Sequence, residues 1–335
     1  MTAASFKVTI AGRRLEVSGD DAVAAVGTAF SGIFDQDADP VHATLEIETV
    51  RDPAGRYPWN RLEIGSHRFP DGALAVIRRG PSSVETFLPG PVPRLHLAAS
   101  PDALGSGVLR SQPANHAIAS WLASSMVQAV HAAAVSLDGQ GLLLVGVGGR
   151  GKSTTALACA LAGFSFLGDD MCVVEVGSAE RRLTPRIHGV YATAKLNPDS
   201  QERLGSCDFR LLGVTPLGKS TFALPPEIRF DRAAPLVAVV GVRAGDASAD
   251  TVRLLSGPEA MGLLAATAAP LATGSGTAAL WLQAAVAIAR EVPAYELRLG
   301  WDLDRVVADC RSIIDRSGED RPPRREPILA RTNRL

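Results

Sequence analysis

Lysine is scarce in this chain. Of its 34 basic residues only Lys7, Lys152, Lys195 and Lys219 are lysines, and arginine supplies the rest. An ammonium is a compact point charge suited to phosphate oxygens, so three lysines within residues 152–219 draw attention to that stretch. For Lys195 and Lys219 chance placement or a solvated surface serves equally well as an explanation. Net charge is missing too: 34 basic against 35 acidic residues leave −1, so no global field draws the chain to nucleic acid or to acidic membranes. The four cysteines, Cys159, Cys172, Cys207 and Cys310, contain no C-x-x-C pair, which argues against a zinc or redox motif and for reduced thiols in a cytoplasmic protein. At the N-terminus no basic segment precedes a long apolar core, so no secretory signal is expected. Residues 111–137 and 261–289 carry no charge, but Asn115, His116, Gln128 and His131 interrupt the first, and Pro270 and the Gly274-Ser275-Gly276 turn signal interrupt the second. Buried helices and strands are expected there rather than membrane spans.

With 46% hydrophobic and 21% charged residues in 335, the composition is that of a folded soluble protein with a sizeable core. The first hundred residues read mainly as strands. Residues 6–10 and 14–17 flank an Ala11-Gly12 turn as a hairpin would, a helix is predicted from Asp20-Asp21 through Phe30, and strands over 43–50, 74–78 and 84–88 follow. Prolines and glycines crowd residues 88–107, which predicts a linker and a domain boundary near residue 100. Helical spacing over 113–128 is followed by two strands around an Asp138-Gly139 turn, a helix over 151–162, and strands on either side of Asp169-Asp170. A strand over 236–242 and helices over 258–268, 277–290 and 304–315 complete the pattern. Residues 317–335, rich in proline and charge, are expected to form a mobile tail. No internal repeat is present.

The strongest motif is Gly146-x-x-x-x-Gly151-Lys152-Ser153, set between an apolar strand and a good helix. That spacing is a phosphate-binding P-loop (Walker A). Its glycines allow the backbone to wrap phosphate oxygens, and amides at the helix start donate to them with the aid of the helix dipole. Candidate nucleotide contacts are Gly146, Gly148, Gly149, Arg150, Gly151, Lys152, Ser153 and Thr154, with Lys152 reaching the β and γ phosphates and Ser153 binding Mg²⁺ through its hydroxyl. Such chemistry needs acidic oxygens nearby, and Asp169-Asp170 follows by the length of one helix and one strand. Two adjacent carboxylates repel unless a cation lies between them. A solvated turn between strands is the plainer alternative.

From His131 to Asp170 the sequence HAAAVSLDGQGLLLVGVGGRGKSTTALACALAGFSFLGDD resembles the catalytic core of HPr kinase/phosphorylase: a histidine before the strand, a Gly-x-Gly turn (Gly139 to Gly141), the P-loop, a helix ending in glycine (Gly163), and the acidic pair. Outside residues 130–176 the likeness fades. The resemblance implies an α/β fold with a P-loop kinase core related to phosphoenolpyruvate carboxykinase; with the boundary read near residue 100, that core falls at residues 101–316 behind a β-rich N-terminal domain at 1–100, a candidate peptide platform. The resemblance also implies ATP with Mg²⁺, Asp169 as the base that deprotonates an acceptor serine, Asp170 as a metal ligand, and His131 near the phosphates. The order of the two aspartates stays open, as does a merely buried His131.

Where the family carries a glycine-rich signature with an acidic residue and an arginine, this chain has RIHGVYATAKLN, matching clearly only at Gly189. The first hundred residues do not resemble the regulatory domain of those enzymes. A divergent branch is closer: kinases of lasso peptide biosynthesis, which phosphorylate the C-terminal serine of the precursor peptide and share the HAAAV strand, the Gly-Lys-Ser-Thr ending, Leu-Gly-Asp-Asp and a Lys-Leu like Lys195-Leu196. The resemblance therefore implies a serine kinase acting on a peptide or protein. Lysine usage adds Lys195 and Lys219 as candidate phosphate or substrate contacts, and the balanced charge predicts no nucleic-acid or membrane partner. A homo-oligomer is compatible with the resemblance. Kept open are the HPr-type kinase/phosphorylase, a small-molecule hydroxyl as acceptor, and a nucleotide-binding regulator without transfer.

Overall fold

Ala11 and Gly12 both take positive φ, 49° and 72°, the combination with which a two-residue turn matches the twist of its flanking strands. Around it β1 (Ala4–Ile10) and β2 (Arg13–Gly19) pair antiparallel. The computed structural model of the chain describes residues 4–37, 39–56, 64–78, 82–124, 126–177, 184–205, 208–245, 252–272, 278–300 and 302–322. After α1 (Ala22–Gly27) and a 3-10 turn ending at Phe30 come β3 (Phe34–Asp35), β4 (Ala43–Thr49), the one-turn α2 (Pro53–Arg56), β5 (Gly65–Arg68), β6 (Leu74–Arg78), β7 (Ser83–Leu88) and β8 (Arg94–Ala99). These strands make one sheet in the order β3-β1-β2-β4-β8-β7-β6-β5.

Residues 88–107 are therefore no linker. β8 lies inside the sheet, parallel to β4 and antiparallel to β7, and the prolines lie outside it. Pro101 opens α3 (Pro101–Gly105), where the Ser100 hydroxyl accepts from the Ala103 amide as a helix cap. Next come α4 (Gly107–Ser111) and α5 (Asn115–Leu122). The helix predicted to run to residue 128 stops at Leu122, and Val127–Val130 is instead β9. Its valines favour an extended backbone once a partner strand is available. Val8, Leu45 and Leu97 share one apolar core with Leu109, Ile118 and Trp121 and with Met171, Val173 and Tyr191, so the first sheet is welded to the rest.

A second hairpin, β10 (Ala133–Leu137) and β11 (Gln140–Val145), turns at Asp138 and Gly139, again both at positive φ. The chain continues through α6 (Lys152–Leu161), β12 (Ser165–Gly168), β13 (Cys172–Glu175), β14 (Arg186–His188), β15 (Thr193–Leu196), α7 (Pro198–Leu204), β16 (Arg210–Val214), β17 (Ser220–Ala223) and β18 (Ala233–Ala244). It ends with β19 (Val252–Leu254), α8 (Gly257–Ala272), α9 (Ala278–Glu291), β20 (Ala294–Leu299) and α10 (Leu303–Arg316), the three helices falling where predicted.

Strand β18 joins the two halves of a nine-stranded sheet. Its first residues pair antiparallel with β14, whereas its later residues pair in parallel with β11 on one side and β20 on the other. Leu142 and Leu144 of β11 pack with residues of α6 and α10, and Leu143 and Val145 with residues of α8 and α9. Burial on both faces explains the continuous apolar run of that strand. A small sheet, β15-β17-β16, stands apart. Among the described residues no helix is long and apolar enough to cross a membrane. Cys159, Cys172 and Cys310 are buried free thiols. Cys207, the turn at 274–276 and residues 323–335 of the expected tail lie outside the described residues.

Candidate active site at the P-loop and the acidic turn

The loop from Gly146 to Gly151 leaves the C-terminal end of β11 and enters α6. Two of its glycines are fixed by packing: a Cβ on Gly146 (φ 148°) would lie 2.8 Å from the Val242 carbonyl oxygen, and one on Gly151 (φ 99°) would lie 2.2 Å from Leu299 Cδ1. Around Gly148 and Gly149 the space is open, and residues 147–150 are exposed. The first amides of α6 have no carbonyl to meet within the helix. The crown of the loop thus presents backbone donors and open space. Arg150 is on the exposed crown, while Thr154 turns away, its hydroxyl donating to Ser200 Oγ at 2.9 Å.

Lys152 is 6% exposed. Its Nζ donates to the Gly146 carbonyl at 2.8 Å and lies 3.4 Å from His131 Nε2. Burial pushes this ammonium's pKa down, the charges of Asp169 and Asp170 push it up, and Lys219 lowers it further. Lys219 lies in the turn between β16 and β17.

Two crossings of the large sheet bring the other groups together. The chain passes from β9, beside β13, to β10, beside β11 and β12, at residues 131–132, and it returns from β12 to β13 at Asp169-Asp170. His131 occupies the first crossing, with Nδ1 3.0 Å from the Asp170 carbonyl oxygen and 3.1 Å from its Oδ1. Asp170 takes φ 67°, so the two carboxylates diverge into different surroundings.

Asp169 is 1% exposed. Its Oδ1 accepts from the Ser153 hydroxyl at 2.8 Å and its Oδ2 from the Lys195 amide at 2.9 Å. Burial and the neighbouring Asp170 charge raise its pKa, outweighing those hydrogen bonds. The Asp170 side chain is 30% exposed and accepts from Lys195 Nζ at 2.6 Å. Burial would raise its pKa too, yet Lys195 and His131 outweigh burial and hold this carboxyl well below the usual carboxylate range. The structure thus gathers Lys152, Ser153, His131, Asp169, Asp170 and Lys195 at one corner.

For a divalent ion the chain offers hard oxygens, the Ser153 hydroxyl and the Asp170 carboxylate. Among the described residues no group of three or more His, Cys, Asp or Glu side chains could hold a metal alone. That donor set fits Mg²⁺, which keeps water and phosphate oxygens as most of its ligands. Sequence reasoning missed Gln112, buried at 3% exposure behind the acidic turn. Its Nε2 donates to the Asp169 carbonyl at 3.1 Å, and its Oε1 accepts from Lys195 Nζ at 2.6 Å. Nothing in the local sequence marks it, because both contacts bridge long separations.

No protein-family model matches the chain, and no curated protein matches it. Among solved structures, the Hpr(Ser) kinase/phosphatase from Coxiella burnetii is similar over 57% of this chain and 95% of that one, with 11% identity and a TM-score of 0.29. A likeness of that size carries no argument about this chain.

Proposed function

We propose that this chain is an ATP- and Mg²⁺-dependent kinase that transfers the γ-phosphoryl group to a serine hydroxyl of a peptide, with the C-terminal serine of a lasso peptide precursor as the leading acceptor. The observation that carries the reading is the Ser153 hydroxyl, first residues into the P-loop helix, hydrogen-bonded to Asp169 while Asp170 faces outward beside Lys195 and His131. A phosphate-binding loop thereby stands next to two carboxylates whose proton affinities are pushed in opposite directions, a pattern that assigns acid–base roles.

In this reading the loop amides and Lys152 hold the β and γ phosphates and take up charge on the transferred group. Bound Mg²⁺ supplies further charge neutralisation, with Ser153 and Asp170 as its protein oxygens. Asp169, whose raised pKa suits a proton acceptor, takes the serine Oγ proton. The Oγ–P bond forms as the bond from the γ phosphorus to the β-γ bridging oxygen breaks, and ADP leaves. The reverse order of roles is favoured by one observation: Asp169 is the more deeply buried carboxylate and touches Ser153, as a group that orients a metal ligand would, whereas Asp170 is open to an acceptor.

The acceptor choice is supported by the sequence resemblance around Leu167 to Asp170 and Lys195-Leu196 and by the departures from the HPr-type signature. An extended peptide could also add to an outer strand of the first sheet, β3 or β5. Incubation with Mg·ATP and precursor-type peptides ending in serine, read by mass spectrometry, tests the proposal. A phosphate on the terminal serine, lost when that serine becomes alanine, supports it. Phosphorylation of HPr with no activity on any peptide overturns the acceptor, and no transfer to any hydroxyl overturns the reaction.

A further inference from the structure

Residues 111–113, from the last residue of α4 toward α5, meet the segment leading into and along β15 at three successive points. The Tyr191 hydroxyl donates to the Pro113 carbonyl at 2.8 Å, the Thr193 hydroxyl to the Ser111 carbonyl at 2.8 Å, and Lys195 Nζ to Gln112 Oε1 at 2.6 Å. The first two contacts tie backbone to fully buried or nearly buried side chains and explain themselves as packing. The third does not, because its partner also touches the acidic turn. Gln112 Nε2 donates to the Asp169 carbonyl, which already accepts from the Met171 amide at 2.8 Å.

Gln112 thus holds two things at once. One is the peptide between Asp169 and Asp170, where a non-glycine residue sits at φ 67°, a conformation uncommon for residues with a Cβ. The other is the ammonium that faces Asp170. A primary amide suits this place, since one end donates and the other accepts and it adds no charge beside two carboxylates. Glutamate in its ionised form could only accept, and leucine could do neither.

We infer that Gln112 is a positioning residue: it sets the Asp169-Asp170 turn and the Lys195 ammonium in one fixed geometry, an inference that rests on the phosphotransfer reading. Among the described residues Gln112's side chain hydrogen-bonds to Asp169 and Lys195 and not to residues 146–153, and it is nearly closed to solvent, so its effect on the reaction runs through Lys195 and the turn. A displacement of about 1 Å at reacting groups can cost on the order of a hundredfold in rate.

The test uses the full-length chain and its Gln112→Leu, Gln112→Glu and Gln112→Asn variants. Thermal melting identifies which of them fold, and the folded ones are compared. In Gln112→Leu, kcat should fall by about a hundredfold, while the acceptor KM and the calorimetric affinity for Mg·ATP remain near those of the unaltered chain. Gln112→Glu, which keeps the acceptor for Lys195, should recover part of that loss, and Gln112→Asn, too short for both contacts, should not. A second readout needs no turnover: the Lys195 side-chain ammonium signal in ¹⁵N NMR, sharpened by slow exchange when the group is held, should broaden or vanish in Gln112→Leu and Gln112→Asn. Persistence of that signal in either variant overturns the inference whatever kcat does, and so does its loss with kcat unchanged. If the unaltered chain phosphorylates no hydroxyl, the phosphotransfer reading falls. The ammonium signal then decides alone whether Gln112 fixes Lys195.

Discussion

Two buried carboxylate corners of this molecule make opposite use of the same chemistry. At the first, Glu85 of β7 is fully buried and, among the described residues, is met by the Arg78 guanidinium of β6 and by the backbone amides of His116 and Ala117 at 3.0 and 3.4 Å, which belong to the first turn of α5, with the His116 ring 3.6 Å away. Burial would raise this carboxyl, but Arg78 and His116 outweigh it and hold it far below the usual range. At the second, Asp169 is as deeply buried but has a like charge beside it, and its pKa moves up. The first corner closes on itself and clamps the N-terminal sheet to α5. The second meets the start of α6, where Asp169 accepts from the Ser153 hydroxyl. Burial of an acid does not by itself mark a site; the second corner differs in having a like charge beside the buried acid and an open glycine-rich loop next to it.

The largest expected effect is at Lys152. Lys152→Ala removes the one ammonium set by the motif on the β and γ phosphates, so transfer should fall by about 10² to 10³ or more with the fold intact. Rates like those of the unaltered chain would remove the P-loop from the mechanism. Next comes Asp169→Asn, which should retain Mg·ATP binding in calorimetry yet lose about a hundredfold or more in kcat, whereas Asp170→Asn should weaken the dependence on Mg²⁺. The opposite pattern would exchange the two roles. Smaller in rate but large in stability is Glu85→Gln, expected to cost about 3 kcal/mol by leaving Arg78 and the α5 amides without their anion, measured by denaturant unfolding.

Acid should separate the corners further. Glu85 has a folded pKa below its unfolded value, near 4.3. Its contribution is therefore fully present above that value and is lost as pH falls through and below it, so Glu85→Gln should flatten the acid side of the stability curve. Asp169 has a folded pKa above its unfolded value. The folded state then prefers the proton, and ionisation as pH rises through the raised pKa costs stability. With Asp169 as base, the acid limb of the kcat profile should lie above the ordinary aspartate value near 3.9, and a limb at or below it would argue for Asp170.

Much of the second corner is legible in the sequence because its parts are local. The glycines at 146 and 151, the Asp138-Gly139 turn and the acidic pair are each set by neighbours within a few residues, and residue type records such constraints directly. β8 was hidden among prolines that bound it without entering it. β9 was hidden because alanines and valines free of charge fit a buried helix or a buried strand equally, and only the open edge of β13 decides. Gln112 and Glu85 owe their roles to partners 57 and 31 residues away, separations at which a single sequence carries no signal. The same holds for the shared core of Val8, Trp121 and Tyr191, which makes a truncation at residue 100 an unfolding experiment rather than a test of a separable peptide platform.

One paired measurement tests the contrast between the two corners: thermal stability at neutral pH together with phosphotransfer per folded molecule in Asp169→Asn and Glu85→Gln. Asp169→Asn relieves a buried charge that the fold pushes toward protonation, so it should melt at or above the temperature of the unaltered chain while losing transfer, the trade expected where function and stability conflict. Glu85→Gln should melt lower and transfer phosphate at the normal rate per folded molecule. If Asp169→Asn instead destabilises the fold and keeps its transfer rate, the acidic turn is a structural clamp like Glu85, and the assignment of the active site is wrong.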